Sequence, residues 1–504
     1  NGNQSWGPKL SSPAKDDRLS AFYVNGHNFT NAVNFSAGSD RAQTYFSYAN
    51  TSANGVMPTN SLNRHNLTFR ETGRFLDDKL TLDVNVNYIN QKVHNTPPHG
   101  LWLNPVIGLY VFPVGTDITH YKDNYAVPDP ARNGLLTQNW VVNEDVQSNP
   151  WWIMYKDPNF STRHRMIINA SAKYEFNNWL NLQARGNMDR ASDTWEQDLY
   201  AGTNPVNSPG SNGSFKRSDQ TFTQTYGDVM LNFKTPAKAG FRVDGLLGAS
   251  ITDQNTVGTN YGAGNGLSIP NIFILQNVIA SANSPVSTMA PNHNQIQSVF
   301  GNANFSYKEW IFLDITGRND WSSNLSFTSN KSYFYSSAGL SVILNQVIKL
   351  PDFMTYAKVR GSYAEVATTV PPYITHPINS LAGGGAVNFN NVEPNPELKP
   401  TNTNSIEAGA DLRFIDNRLS LNFTWYKSNT HNQFIRYTPA PSTGYSVGYL
   451  NAGNIKNTGV EVVLSYDVLK GRDFTWTSGL NYSTNKNTIL ALDPSSPNSP
   501  IFLT

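Results

Sequence analysis

The sequence predicts an all-β fold, a large antiparallel transmembrane β-barrel. Three observations carry this: alternation of apolar and polar residues with period two along the whole chain, connections that alternate between tight and long, and aromatic residues gathered beside the tight ones.

The alternation is plain in Leu80-Thr81-Leu82-Asp83-Val84-Asn85-Val86-Asn87-Tyr88, where even positions are apolar and odd ones polar. Met166, Ile168, Ala170, Ala172, Tyr174 and Phe176 repeat it, as do Leu180, Leu182, Ala184 and Met188. Leu419, Leu421, Phe423 and Trp425 continue it, followed by Phe474, Trp476, Leu480 and Tyr482. Successive side chains of a strand point to opposite faces, so each segment is a strand with one apolar and one polar face. About sixteen such segments occur, most longer than the ~5–6 residues usual in soluble sheets. No long helical period is evident.

Tight turns fall near Gly38-Ser39-Asp40, Asp77-Asp78, Asn177-Asn178, Pro236-Ala237-Lys238, Lys308-Glu309, Asp416-Asn417 and Lys470-Gly471. Between them lie long excursions, roughly residues 94–161, 190–213, 258–293, 367–400 and 430–454. Outer-membrane barrels have this asymmetry, with short periplasmic turns and longer extracellular loops. Beside the tight turns stand Phe75, Phe176 with Trp179, Phe233 with Phe241, Tyr307 with Trp310, Phe414, and Phe474 with Trp476. Aromatics at one level on successive hairpins form a girdle at a lipid–water interface.

Composition agrees. Charged residues make up 14% and aromatics 12% of the 504 residues, where soluble domains carry about 25% charged residues. The net charge of +1 gives no nucleic-acid footprint. The chain has no cysteine, which removes disulfides, thiolate zinc sites and iron–sulfur clusters. No run of about 18 apolar residues exists, so helical spans are excluded; the mean hydropathy of −0.44 suits a barrel, half of whose residues face water. No linker divides the chain, and residues 1–504 read as one partial barrel domain. The start, Asn1-Gly2-Asn3-Gln4-Ser5, lacks the features of a signal peptide, so an upstream segment is expected.

Alternation alone leaves the orientation open, since a soluble sandwich also has one apolar face. A secreted β-rich carbohydrate-binding or hydrolysing protein is therefore the rival reading. Strand length, hairpin asymmetry and the girdle favour apolar-out, with a polar, wet interior suited to transport.

At Gly317-Arg318-Asn319-Asp320-Trp321-Ser322-Ser323, and in other segments along essentially the whole chain, the sequence resembles the SusC-like family of TonB-dependent outer-membrane transporters. Collinear segments agree: Ser5-Trp6-Gly7-Pro8, Gly55-Val56-Met57-Pro58 with Arg64, Asn149-Pro150-Trp151-Trp152, and Lys358-Val359-Arg360-Gly361-Ser362-Tyr363. Leu398-Lys399-Pro400-Thr401 and Asn451-Ala452-Gly453-Asn454-Ile455-Lys456-Asn457-Thr458-Gly459-Val460-Glu461 complete the set. The resemblance implies a barrel of the ~22-strand plugged class, of which this chain supplies the early and middle strands; the N-terminal plug and the last strands are expected to lie outside it. It implies import of oligosaccharides or peptides, a SusD-like surface lipoprotein as lid, and energy from TonB–ExbB–ExbD through a TonB box absent from this chain. It implies the outer membrane as the location, lipid as a partner, and no enzymatic activity. A TonB-dependent siderophore or vitamin receptor is the alternative within transport, and a passive porin is a further one.

Chemical sites are sparse, and no catalytic, cofactor or metal residue is assigned. His94 and His99 flank Pro97-Pro98 without a ligand partner at metal spacing. Gly262-Ala263-Gly264-Asn265-Gly266 lacks the lysine and helix of a phosphate loop and reads as a loop tip. Asp314 and Asp320 share one strand face, and read as interior charges rather than a glycosidase pair. The ligand-binding candidates are Trp102, Tyr110, Trp140, Trp151 and Trp152 of the longest loop. Their flat faces can stack on sugar rings, or they form a small loop core or dock a plug or lid.

Overall fold

The computed structural model describes residues 17–142, 145–262, 264–280, 285–381 and 386–491. The segment Ser5–Pro8 and the terminal Ile501–Thr504 lie outside the described residues. Sixteen long strands follow one another: β1 (His27–Gly38), β2 (Ala42–Asn54), β3 (Ser61–Phe75), β4 (Leu80–His94), β5 (Asn159–Asn177), β6 (Leu180–Tyr200), β7 (Gly213–Lys234) and β8 (Phe241–Tyr261). The second half comprises β9 (Asn292–Tyr307), β10 (Ile311–Ser322), β11 (Ser332–Ile343), β12 (Met354–Thr368), β13 (Thr401–Phe414), β14 (Leu419–Tyr437), β15 (Gly448–Lys470) and β16 (Thr475–Ala491). With a short piece at Val286–Thr288 they form one 17-stranded sheet.

Every long strand pairs antiparallel with its neighbour in sequence. The sheet is thus a pure meander, as hairpins dictate when no crossover intervenes. Among the described residues β1 and β16 each have one partner, which leaves two sheet edges.

The registers sort the side chains into continuous rows. Leu82, Ala172, Ala184, Val229, Ala249 and Val299 stand directly opposite one another across six strands. One step along, on the other face, run Asp83, Ser171, Arg185, Asp228, Ser250, Ser298, Asp320 and Tyr333. The apolar rows are exposed: Phe35, Leu247, Phe334 and Leu480 each show more than 60% of their surface. Their polar counterparts bind each other, as in Arg185–Asp228 at 2.7 Å and Arg165–Asp189 at 2.5 Å.

A soluble sandwich buries its apolar rows face to face; here they are bare. The chain exposes 29495 Å², where a compact soluble monomer of its 55.9 kDa would expose about 18,000 Å². The soluble alternative is overturned by that surface. The fold is a β-barrel wall with its apolar side towards lipid. The girdle lies on the same side, where Phe241 packs against Tyr307 at 4.4 Å, Tyr307 against Trp310 at 6.1 Å, and Phe353 stacks on Phe414 at 6.2 Å.

Two expected loops are shorter than the sequence suggests. The excursion placed at 190–213 spans only 201–212, because β6 continues to Tyr200 and β7 starts at Gly213. That at 430–454 narrows to 438–447. In both places the strands run on above the membrane, where water lies on both faces and alternation has no cause. The lack of a long helical period leaves room for short helices. Short helices occur at Arg18–Phe22, Pro105–Val111, Ile118–Asp123 and Pro150–Lys156, too short to show a helical period.

The turn after β9 is strained. Lys308 and Glu309 have φ of 46° and 58°, the left-handed region that hairpin turns of this kind fill with Asn-Gly. Glu309→Gly is expected to stabilise the barrel by about 1 kcal/mol, read as a higher melting temperature in detergent.

Candidate functional site

The buried cores lie at the long-loop end of the barrel. The largest gathers Phe22, Leu109, Phe112, Ile118, Trp140, Trp151, Ile153 and Met154, from the first helix and the loop between β4 and β5. Smaller ones join Leu325, Val370, Ile374 and Leu398, and Phe215, Leu267 and Val278. Ordered loops thus form a crown over one mouth of the barrel.

Asparagines organise this crown. Asn149 is fully buried; its side-chain oxygen accepts from the backbone N–H of Trp151 (2.9 Å) and Trp152 (3.3 Å), capping the helix Pro150–Lys156. Its Nδ2 donates to the carbonyls of Tyr121 (2.9 Å) and Asn139 (2.8 Å), so the loop backbone is anchored by one saturated amide. At the root, Asn95 Oδ1 accepts from the N–H of Asn159 (3.0 Å) while Asn159 Oδ1 accepts from the N–H of Thr96 (3.0 Å). Asn204 Nδ2 ties the next loop in by donating to the carbonyls of Asp145 (2.6 Å) and Gln147 (2.7 Å). Sequence reasoning missed Asn95, Asn149, Asn159 and Asn204, because nothing distinguishes a buried asparagine in a chain so rich in them; the Asn149-Pro150 helix start is the only local signal.

The five aromatic candidates separate. Trp140, Trp151 and Trp152 are buried, Trp152 completely. Trp151 packs edge-on against Phe22 at 5.6 Å, and Trp140 against Phe112 at 5.1 Å. Trp140 and Trp151 are spent on the loop core, Trp152 is buried with its Nε1 donating to Thr203 Oγ1 (2.9 Å), and none of the three has a face left for a ligand in this conformation. Trp102 and Tyr110 are 56% and 65% exposed, beside exposed Leu101 and Val111. Phe327, stacked on His376 at 4.3 Å, and Phe389 are also exposed.

The segments shared with the resembled family meet in the crown and the wall. Met57 packs on the core of Trp151, and Thr59 Oγ1 donates to the carbonyl of Met154 (3.0 Å). Asn451 Nδ2 donates to the carbonyl of Lys399 (2.9 Å) and its Oδ1 accepts from the Lys399 N–H (2.6 Å). On the inner face Asp320 is held by Arg318 (2.8 Å) and the Tyr335 hydroxyl (2.8 Å), with Arg318 over the Phe300 ring. Asp314 accepts from Asn304 Nδ2; both carboxylates are ordinary wall partners. His94 stacks on Phe160 at 4.8 Å. Among the described residues no group of three or more His, Asp or Glu is placed to hold a metal.

One carboxyl in the crown is unusual. Asp157 is buried; its Oδ1 accepts from Thr203 Oγ1 (2.5 Å), which accepts from Trp152 Nε1 (2.9 Å), while Oδ2 has no partner. Burial pushes its pKa up from 3.8 to about 8, against the hydrogen bonds from Thr203, Tyr200 and Trp152. The folded crown therefore holds a proton that the unfolded loop releases above pH 3.8, so its stability falls as pH rises from there to about 8 and then levels. Asp157→Asn is expected to abolish this slope and raise protection of the loop at pH 8, checked by hydrogen exchange.

Exposed apolar rows, an ion-paired inner face and a crown of ordered loops define an outer-membrane β-barrel of the receptor class. Residues 113–501 match the family described as TonB dependent receptor-like, beta-barrel, and the chain belongs to that family. It is similar to TonB-dependent receptor P26 of Formosa agariphila, 24% identical over 480 residues, covering 91% of this chain and 45% of the relative. TonB-dependent receptor P3 of the same organism is 29% identical over 217 residues, 41% of this chain and 22% of that protein. Among solved structures the chain resembles the RagAB peptide transporter, with a TM-score of 0.79 at 16% identity over 95% of this chain and 53% of that one. The siderophore receptor PiuA of Acinetobacter baumannii gives a TM-score of 0.55 at 14% identity, covering 93% and 63%. The chain thus spans about half or less of the length of the curated relatives it matches.

Proposed function

We propose that this chain is the greater part of the barrel of a SusC-like active importer of oligosaccharides or peptides. A SusD-like lipoprotein closes over it and TonB drives it. The observation that carries this reading is the crown: ordered loops present exposed aromatic and apolar surface, around Trp102 and Tyr110, at Phe327 and at Phe389, above a polar inner wall. Such surface is what a lid lipoprotein or a bulky cargo would cover. The overlay on the RagAB peptide transporter, deeper than that on the siderophore receptor, supports the lidded class. Trp102 and Tyr110 are the residues we assign to cargo or lid contact.

The test is uptake of fluorescent oligosaccharide and peptide pools by cells carrying the full-length receptor, with and without its neighbouring lipoprotein and TonB. Uptake should require both, and the lipoprotein should copurify. TonB-dependent uptake of a ferric siderophore without any lipoprotein would move the protein to the other class, and steady ion conductance without TonB would make it a porin.

A further inference from the structure

Strands β3 to β6 carry basic residues on both faces of the barrel. On the inner face four arginines are paired with aspartates, Arg70–Asp83 (2.8 Å), Arg163–Asp193 (2.6 Å), Arg165–Asp189 (2.5 Å) and Arg185–Asp228 (2.7 Å), while Arg64 and Arg74 have no carboxylate partner among the described residues. On the lipid-facing side Lys92 and Arg190 are exposed and, among the described residues, have no carboxylate partner. Above them on that side Glu196 and Asp219 both face Arg217, at 3.8 Å and 3.1 Å.

These cations share a neighbourhood with two histidines. The registers set His65 opposite Asn90 and Asn90 opposite His164. Beneath them, Tyr48 and His65 Nδ1 share a hydrogen bond of 2.8 Å, and Tyr88 and His164 Nδ1 one of 3.0 Å. Each imidazole is thus held by a tyrosine through Nδ1, and its Nε2 edge is turned away from that bond. Arg190 stands opposite Met166, itself opposite Tyr88.

Their height is that of the upper membrane boundary. His65 and Arg190 stand ten residues from the tight-turn ends of their strands, Lys92 twelve and His164 thirteen. At about 3.3 Å per residue and a tilt near 40° this is roughly 25–33 Å, against an apolar band about 25 Å tall. A cation at that level sits among headgroups, and one whose own protein withholds a carboxylate takes its counter-charge from the membrane.

We propose that Lys92, Arg190, His65 and His164 form a site on the outer rim of the barrel for the phosphate of an outer-leaflet lipid. The two cations neutralise the phosphate, the imidazoles offer hydrogen bonds, and the tyrosines hold the imidazoles and lie against the upper acyl chains. The site is independent of what the protein imports.

The experiment is native mass spectrometry of the full-length receptor in detergent with added phosphatidylglycerol. The wild-type protein should retain the lipid, and the Lys92→Gln, Arg190→Gln double variant should need about tenfold more lipid for equal occupancy, with its melting temperature unchanged. Lys92→Arg with Arg190→Lys should restore retention. Equal retention by wild type and double variant, or equal retention of an uncharged diacylglycerol, would overturn the proposal. Release of the bound lipid by millimolar inorganic phosphate would also overturn it, by making this a free-anion site.

Discussion

Leu247→Arg is expected to prevent stable assembly of the barrel. Leu247 is 62% exposed on the lipid-facing side, six residues into β8 from Phe241, or about 15 Å up a tilted strand. That is close to the middle of an apolar band about 25 Å tall. An arginine at the bilayer midplane of such a barrel costs about 2–4 kcal/mol, a large part of the stability of most folded domains. The matched control is Ser171→Arg, on the inner face opposite Asp83 and Arg185, where the guanidinium stays in water beside a carboxylate. Folding into lipid vesicles, followed by gel mobility and protease resistance, should fail or slow for Leu247→Arg and proceed for Ser171→Arg. Equal behaviour of the two would mean that the apolar rows do not face lipid.

Trp151→Ala should unfold the crown and leave the wall intact. The ring is 2% exposed, in a core shared with Phe22, Phe112 and Trp140, and removing a buried tryptophan costs about 3–5 kcal/mol. The loop between β4 and β5 should then become open to protease and lose hydrogen-exchange protection, while the strands keep theirs. Trp102→Ala makes the contrast: more than half exposed, its loss should change stability by less than about 0.5 kcal/mol. If Trp102 stacks on cargo, that change should still weaken binding by about 0.5–1.5 kcal/mol. Should Trp102→Ala alter neither binding of cargo nor copurification of the lipoprotein, our assignment of that residue falls.

The wall was legible in the sequence because lipid on one side and water on the other impose opposite demands on alternate residues. Leu80 to Tyr88 records this directly, as do the aromatics beside most of the tight turns. Where the strands rise above the membrane the demand disappears: the upper parts of β6 and β14 lose the strict alternation and read as loop. The crown was less legible for another reason. Trp151 is buried by Phe22, 129 residues earlier in the chain, and no local pattern tells such a ring from an exposed Trp102. The same holds for Asn149, whose partners Tyr121 and Asn139 are fixed only once the loop has closed.

The meander has a consequence for how the protein is made. Among the described residues each long strand is bonded only to its neighbours in sequence, so these pairings give the wall a low contact order for its size. Hairpins can be laid down one after another, each new strand templated by the free ladder of the last. An error in one hairpin would then shift every side chain of that strand to the wrong medium while leaving the earlier ones in place.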